Sequence, residues 1–150
     1  MKETPNLKLQ TSNPKTRPFL WSLIFGVWSF FVSRLASFRH ASHGWWYVLR
    51  HERNAWIHAA TSIAVFVVGL WVGLDRRDWA IILLTMVAVW MGEFINTALE
   101  AVVDLASPQH HPLAKVGKDV GAAAVLIAAL AAVLIGLLIL GPPLWAKLFE

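Results

Sequence analysis

From residue 55 onward the chain alternates long apolar runs with short polar breaks. AWIHAATSIAVFVVGLWVGL at 55–74 is long enough to cross the hydrocarbon core of a bilayer as one helix. DRRD at 75–78 is a turn, so a second helix, from about Trp79 to Val103, runs back antiparallel. A loop with Pro108 and Pro112 as breakers occupies Asp104 to Asp119, and a third helix covers about Val120 to Leu140, stopped by Gly141, Pro142 and Pro143. On it Ala124, Ala128, Ala132 and Gly136 recur every fourth residue, a small-residue stripe that lets another helix approach closely. No run alternates with the period of a strand, and no repeat is visible. The pattern predicts an all-α integral membrane protein, with three transmembrane helices within residues 55–150 behind an amino-terminal interfacial segment.

That segment has three parts. Residues 1–18 hold three prolines and few apolar side chains and read as a disordered tail. FLWSLIFGVWSFFV at 19–32 is strongly apolar but too short for a comfortable span. On a helix Ser22, Gly26, Ser29, Ser33 and Ser37 form a small polar stripe, as expected of a helix at the interface or packed on a neighbour. A signal peptide is the rival, since Lys15 and Arg17 precede the apolar core, but that core is full of Trp and Phe and no clean cleavage site follows. The retained helix is the better reading. RLASFRHASHGWWYVLRHERN at 34–54 reads as an amphipathic helix, with arginines among the headgroups and Trp45, Trp46 and Tyr47 near the acyl boundary.

One feature departs from the apolar logic. Glu93, Asn96, Glu100 and Asp104 are spaced three, four and four residues apart, which places all four on one face of the second helix. Ionisable groups in a membrane helix are expensive and usually mark function. Three helices enclose little polar volume, so the acidic faces are expected to turn toward clefts shared in an oligomer. His58, one turn inside the first helix, reads first as an interhelical hydrogen-bonding residue.

Charge places this stripe relative to the membrane. Eight of the 13 Lys and Arg residues (Lys2, Lys8, Lys15, Arg17, Arg34, Arg39, Arg50 and Arg53) precede the first span, the distribution of a cytoplasmic amino terminus facing anionic lipid. The net charge of +4 is therefore assigned to the membrane, and nucleic acid is not an expected partner. Glu93 then lies about 16 Å before Asp104, in the cytoplasmic half of a core about 30 Å thick. Glu100 lies near the inner headgroups, level with Glu52, the only acid between residues 4 and 74. Two carboxylates there suit Mg²⁺, which takes oxygen ligands together with substrate phosphate. Lys115 and Lys118 on the same side can meet phosphate charge, and Glu93 can accept a proton from a hydroxyl. These are parts of a phosphoryl-transfer site reaching a lipid alcohol. The chain has no cysteine, and neither GxxxxGK[ST] nor a kinase glycine-rich loop is present. From the residues alone, a polar pathway for protons or ions competes closely with a lipid kinase.

EFINTALEAVVDL followed by HHPLAKVGKDVGAAAVLIAA resembles the signature of the prokaryotic diacylglycerol kinase and undecaprenol kinase family, small trimeric membrane lipid kinases. The likeness extends back through SFRHASHGWWYVLRHERNAWIH and covers about residues 36–140. It implies a homotrimer in the bacterial cytoplasmic membrane, with sites between neighbouring subunits, using ATP and Mg²⁺ to phosphorylate undecaprenol or, as the alternative, diacylglycerol. Position by position, it implies Glu93 as general base and Asn96 as a residue that positions base or phosphate. It assigns Glu52 and Glu100 to the metal and the nucleotide, Lys118, Asp119 and the stretch Gln109, His110 and His111 to ATP, and Trp45 and His58, with Glu93, to the lipid side. His58 stands where the Gram-negative diacylglycerol kinases carry an acid, which leans toward the undecaprenol branch. Arg34 and Arg39 are imperfect matches for a nucleotide-contacting arginine, and the first 35 or so residues match nothing in the family.

Overall fold

The computed structural model describes residues 17–107, 109 and 111–149, in which four helices follow one another: α1 Arg17–His51, α2 Arg53–Val72, α3 Arg76–Ala106 and α4 Pro112–Phe149. The chain divides into two units, Met1–Gly44 and Trp45–Glu150. In the first, α1 carries the apolar stretch Trp21–Phe30, with Trp21, Phe25 and Trp28 exposed. Ser29 and Ser42 donate their hydroxyls back to the carbonyls of Gly26 and Phe38, at 2.9 Å each, which satisfies them within the helix itself. The Arg34 guanidinium lies 5.1 Å from the centre of the Phe30 ring. Most of the expected tail, residues 1–16, lies outside the described residues, and Arg17 and Pro18 already belong to α1.

In the second unit α2, α3 and α4 are each long and apolar enough to cross a membrane. At about 1.5 Å per residue, the 20 residues of α2 match a core of about 30 Å, and the 31 of α3 and 38 of α4 overhang it. The turn between α2 and α3 is capped on both sides. Gly73 ends α2 in the left-handed region (φ 80°), where its N–H and that of Leu74 both donate to the Gly69 carbonyl at 3.1 Å. Asp75 then opens α3 by accepting from the Asp78 N–H at 2.8 Å, a cap worth about 1 kcal/mol. Trp79 packs so closely over Gly69 that a Cβ there would meet its ring at 2.9 Å.

Burial is inverted relative to a water-soluble bundle. Only Val48, Ala55, Ile82, Val89 and Val125 form an apolar core among the described residues, and large apolar side chains such as Leu84, Leu137 and Leu138 face outward. The buried polar side chains are Glu93, Asn96 and Thr97. With lipid as the outer solvent this arrangement is the favourable one, because hydrocarbon costs nothing to expose and polar groups must find partners inside.

Two boundaries differ from the sequence reading. Residues 104–119 are not one long loop: α3 runs to Ala106 and α4 starts at Pro112, so Asp104, Lys115, Lys118 and Asp119 are all helical. Pro112 acts as a first-turn residue, where a missing N–H costs nothing, rather than as a breaker. At the far end Gly141, Pro142 and Pro143 do not stop α4, which continues to Phe149. Membrane helices tolerate proline where neighbouring groups satisfy the freed carbonyls.

Candidate active site

α3 supplies the centre. Glu93 is 1% exposed, the largest side chain fully buried among the described residues. From α2, His58 Nε2 approaches its Oε2 at 3.6 Å. One turn further along α3, Thr97 donates its hydroxyl to the Glu93 carbonyl at 2.9 Å. Asn96 donates from Nδ2 to Glu100 Oε1 at 2.8 Å, so two members of the stripe seen in the sequence are joined along the helix. Glu52 and Glu100 are both half-buried.

Glu52 is positioned by a break in the chain. It separates α1 from α2 with an extended backbone (φ −100°, ψ 118°), and although it stands at the N-cap of α2 its side chain makes no capping hydrogen bond. Asn96 meanwhile occupies only one oxygen of Glu100. Glu52 and Glu100 each offer a carboxylate of the kind that Mg²⁺ takes one or two of, completing its shell with water and phosphate oxygens. Among the described residues no three His, Cys, Asp or Glu side chains cluster as a ready-made metal site.

Around His58 the walls are aromatic. Trp90 donates its indole N–H to Ser62 Oγ at 3.2 Å and meets the His58 ring edge-on at 6.1 Å. Trp45 packs against Trp90 and Phe94 at 4.9 and 4.7 Å between ring centres. The predicted lipid-side residues Trp45 and His58 therefore share one cluster with the helix that carries Glu93.

A second group of predicted residues gathers where α3 ends and α4 begins. Gln109, His111 and Lys118 line a cavity of about 830 Å³ together with Asp104, Ser107 and Lys115. Lys118 Nζ pairs with Asp104 Oδ1 at 2.6 Å across the two helices, and Lys115 pairs with Asp119 at 2.9 Å one turn along α4. Asp119 is brought to this region through Lys115 and does not itself line the cavity. His111 Nδ1 accepts from the Leu113 N–H at 3.2 Å, which fixes the start of α4. His110 lies outside the described residues, and Arg34 and Arg39 belong to the first unit.

One residue was missed from sequence. A Cβ on Gly121 would collide with Asn96 Oδ1 and come within 3.2 Å of the Leu99 side chain, so only glycine lets α4 press against the buried asparagine. The glycine was visible in KDVG but fell off the four-residue stripe, and nothing in one sequence says which helix it faces. Gly121→Ala is expected to destabilise the protein by about 1–3 kcal/mol and to displace Asn96 from Glu100, visible as a lower melting temperature and lower activity together.

A bundle of three membrane-length helices that is apolar outside and buries Glu93, Asn96 and Thr97 defines a small helical membrane protein with a polar site in its interior. The sequence profile of the prokaryotic diacylglycerol kinase family matches residues 39–140, and the chain belongs to that family. It is 45% identical over 108 residues to an undecaprenol kinase of Bacillus subtilis, an alignment covering 72% of this chain and 88% of that protein. It is 43% identical over 119 residues to a diacylglycerol kinase of Synechocystis, covering 79% and 68% respectively. A diacylglycerol kinase of Escherichia coli is 36% identical over 89 residues, covering 55% of this chain and 73% of that protein.

Proposed function

We propose that the protein is an ATP- and Mg²⁺-dependent lipid kinase that phosphorylates undecaprenol at the cytoplasmic leaflet of the bacterial inner membrane. The observation that carries this reading is a buried carboxylate, Glu93, facing His58 of the aromatic cluster and sharing one helix face with the hydrogen-bonded pair Asn96 and Glu100. Glu93 takes the proton of the lipid hydroxyl as its oxygen forms a bond to the γ-phosphorus, and the bond from that phosphorus to the bridging oxygen breaks to release ADP. Glu52 and Glu100 would hold Mg²⁺, which when bound would offset phosphate charge, and Asn96 keeps Glu100 in place through its hydrogen bond. Lys118 leaves Asp104 to meet the transferring phosphoryl group, with Gln109, His110, His111 and Asp119 on the nucleotide side and Trp45 and His58 on the lipid side. Arg34 and Arg39 are candidates for further nucleotide contacts.

The kinase is a homotrimer with its amino terminus inside. Glu93 and Glu100 belong to a bundle too thin to enclose substrate alone, and neighbouring subunits complete the walls. Crosslinking in native membranes is expected to trap trimers, and a ladder that stops at monomer contradicts the shared site.

Likeness to an undecaprenol kinase over most of that protein's length, together with His58, supports undecaprenol as the acceptor, and diacylglycerol is the alternative. In mixed micelles containing equal amounts of both lipids, undecaprenyl phosphate is expected to predominate over phosphatidic acid. Turnover of diacylglycerol alone overturns the preference.

A further inference from the structure

Two buried polar atoms face each other without being joined. His58 Nε2 and Glu93 Oε2 are 3.6 Å apart, beyond the 2.7–3.2 Å or so of a protein hydrogen bond, and neither has a hydrogen-bond partner among the described residues. Glu93 is 1% and His58 13% exposed at the side chain. Buried groups of this kind are usually paired, and leaving both unpaired is costly unless something else engages them. One oxygen placed about 2.8 Å from each atom would sit at the apex of a triangle, roughly 2 Å off the line between them. An alcohol oxygen satisfies both at once, donating its proton to the carboxylate and accepting from the imidazole N–H.

The surroundings favour that arrangement over a loose core histidine. Trp90, held by Ser62 and packed against Trp45, braces the imidazole from the side. His58 also forms part of the wall of an apolar cavity of about 510 Å³ between α2, α3 and α4, which Glu93 does not line. Three hydroxyls lie in that wall: Ser62 accepts from Trp90, Thr85 donates to the Ile81 carbonyl at 2.7 Å, and Thr61 is exposed, while the rest of the wall apart from His58 is apolar. Hydrocarbon attached to an oxygen held at His58 therefore has an apolar space beside it, with His58 at the polar edge.

We infer that His58 is the second ligand of the acceptor hydroxyl: its Nε2–H and Glu93 Oε2 hold one alcohol oxygen between them, the histidine fixing the oxygen and the glutamate taking its proton. The imidazole is then in the tautomer with hydrogen on Nε2. The inference rests on the lipid-kinase reading, and it makes His58 a determinant of how the alcohol, rather than the nucleotide, is bound.

The test compares wild type, His58→Leu and His58→Gln as full-length protein in mixed micelles, titrating undecaprenol at saturating ATP. Glutamine carries an N–H donor to about the same reach as Nε2, and leucine fills the space without one. His58→Leu is expected to lose about 10- to 100-fold in kcat/KM for the alcohol. The KM for ATP should move by less than about twofold, and His58→Gln should stay within about fivefold of wild type. A leucine variant equal to wild type overturns the inference. So does a glutamine variant that falls as far as leucine, whether or not both melt early, because the donor would then not be what matters. Wild type that phosphorylates no lipid alcohol overturns the kinase reading itself, and the role of His58 with it.

Discussion

Replacing Glu93 by glutamine is expected to lower phosphate transfer to lipid by about 10²- to 10⁴-fold while leaving the helices assembled. The substitution keeps shape and hydrogen-bonding capacity, so Thr97 still donates to the main-chain carbonyl of residue 93 and the bundle keeps its packing. What it removes is the carboxylate that, in this account, takes the proton from the alcohol. Removing a buried ionisable group also relieves its desolvation, so the variant should melt no lower than wild type. Loss of activity at unchanged or raised melting temperature separates a chemical role from a structural one. A variant that transfers phosphate at the wild-type rate would exclude Glu93 as the base.

The second large effect is expected at Lys118. Lys118→Met should lower transfer by about 10²- to 10³-fold, the loss typical of one group aimed at developing charge. The pair with Asp104 supplies the control, because its two members have different roles in this account. An ion pair this exposed contributes little to tying α3 to α4. Asp104→Asn, which breaks the same pair and leaves the lysine in place, should therefore change activity by no more than about fivefold. Equal losses in the two variants would mean that the pair matters only as a strut between helices, and steady-state kinetics on both decides it.

Much of this site could be read from spacing. Glu93, Asn96 and Glu100 fall on one face of any helix that contains them, and the cost of placing them in lipid points inward whatever the tertiary structure. The three spans were legible for the same reason, as length and hydropathy are summed locally. What was not legible depends on which helix meets which. Gly121 is a packing glycine only because Asn96 stands opposite, and the Lys118–Asp104 pair joins residues fourteen apart across a turn. Proline was the other source of difference: the same residue opens α4 at Pro112 and rides inside it at Pro142 and Pro143. Rules framed in water treat Pro142 and Pro143 as stops, whereas Pro112 opens a helix as those rules allow once the start of α4 is known. Glu52 shows a different limit, since the sequence shows it only as a lone acid, and its place as the single non-helical residue between α1 and α2 emerges only from the fold.

The most direct test of the central claim follows the γ-phosphate of labelled ATP into the lipid extract when purified protein is mixed with undecaprenol, diacylglycerol and Mg²⁺ in micelles. The account predicts label in the extract, dependent on added lipid alcohol and on Mg²⁺, with none when the label is on the α-phosphate. Label that stays in water, from well-assembled protein that instead passes protons or ions across vesicles without nucleotide, would contradict it and return the acidic stripe to a conduit.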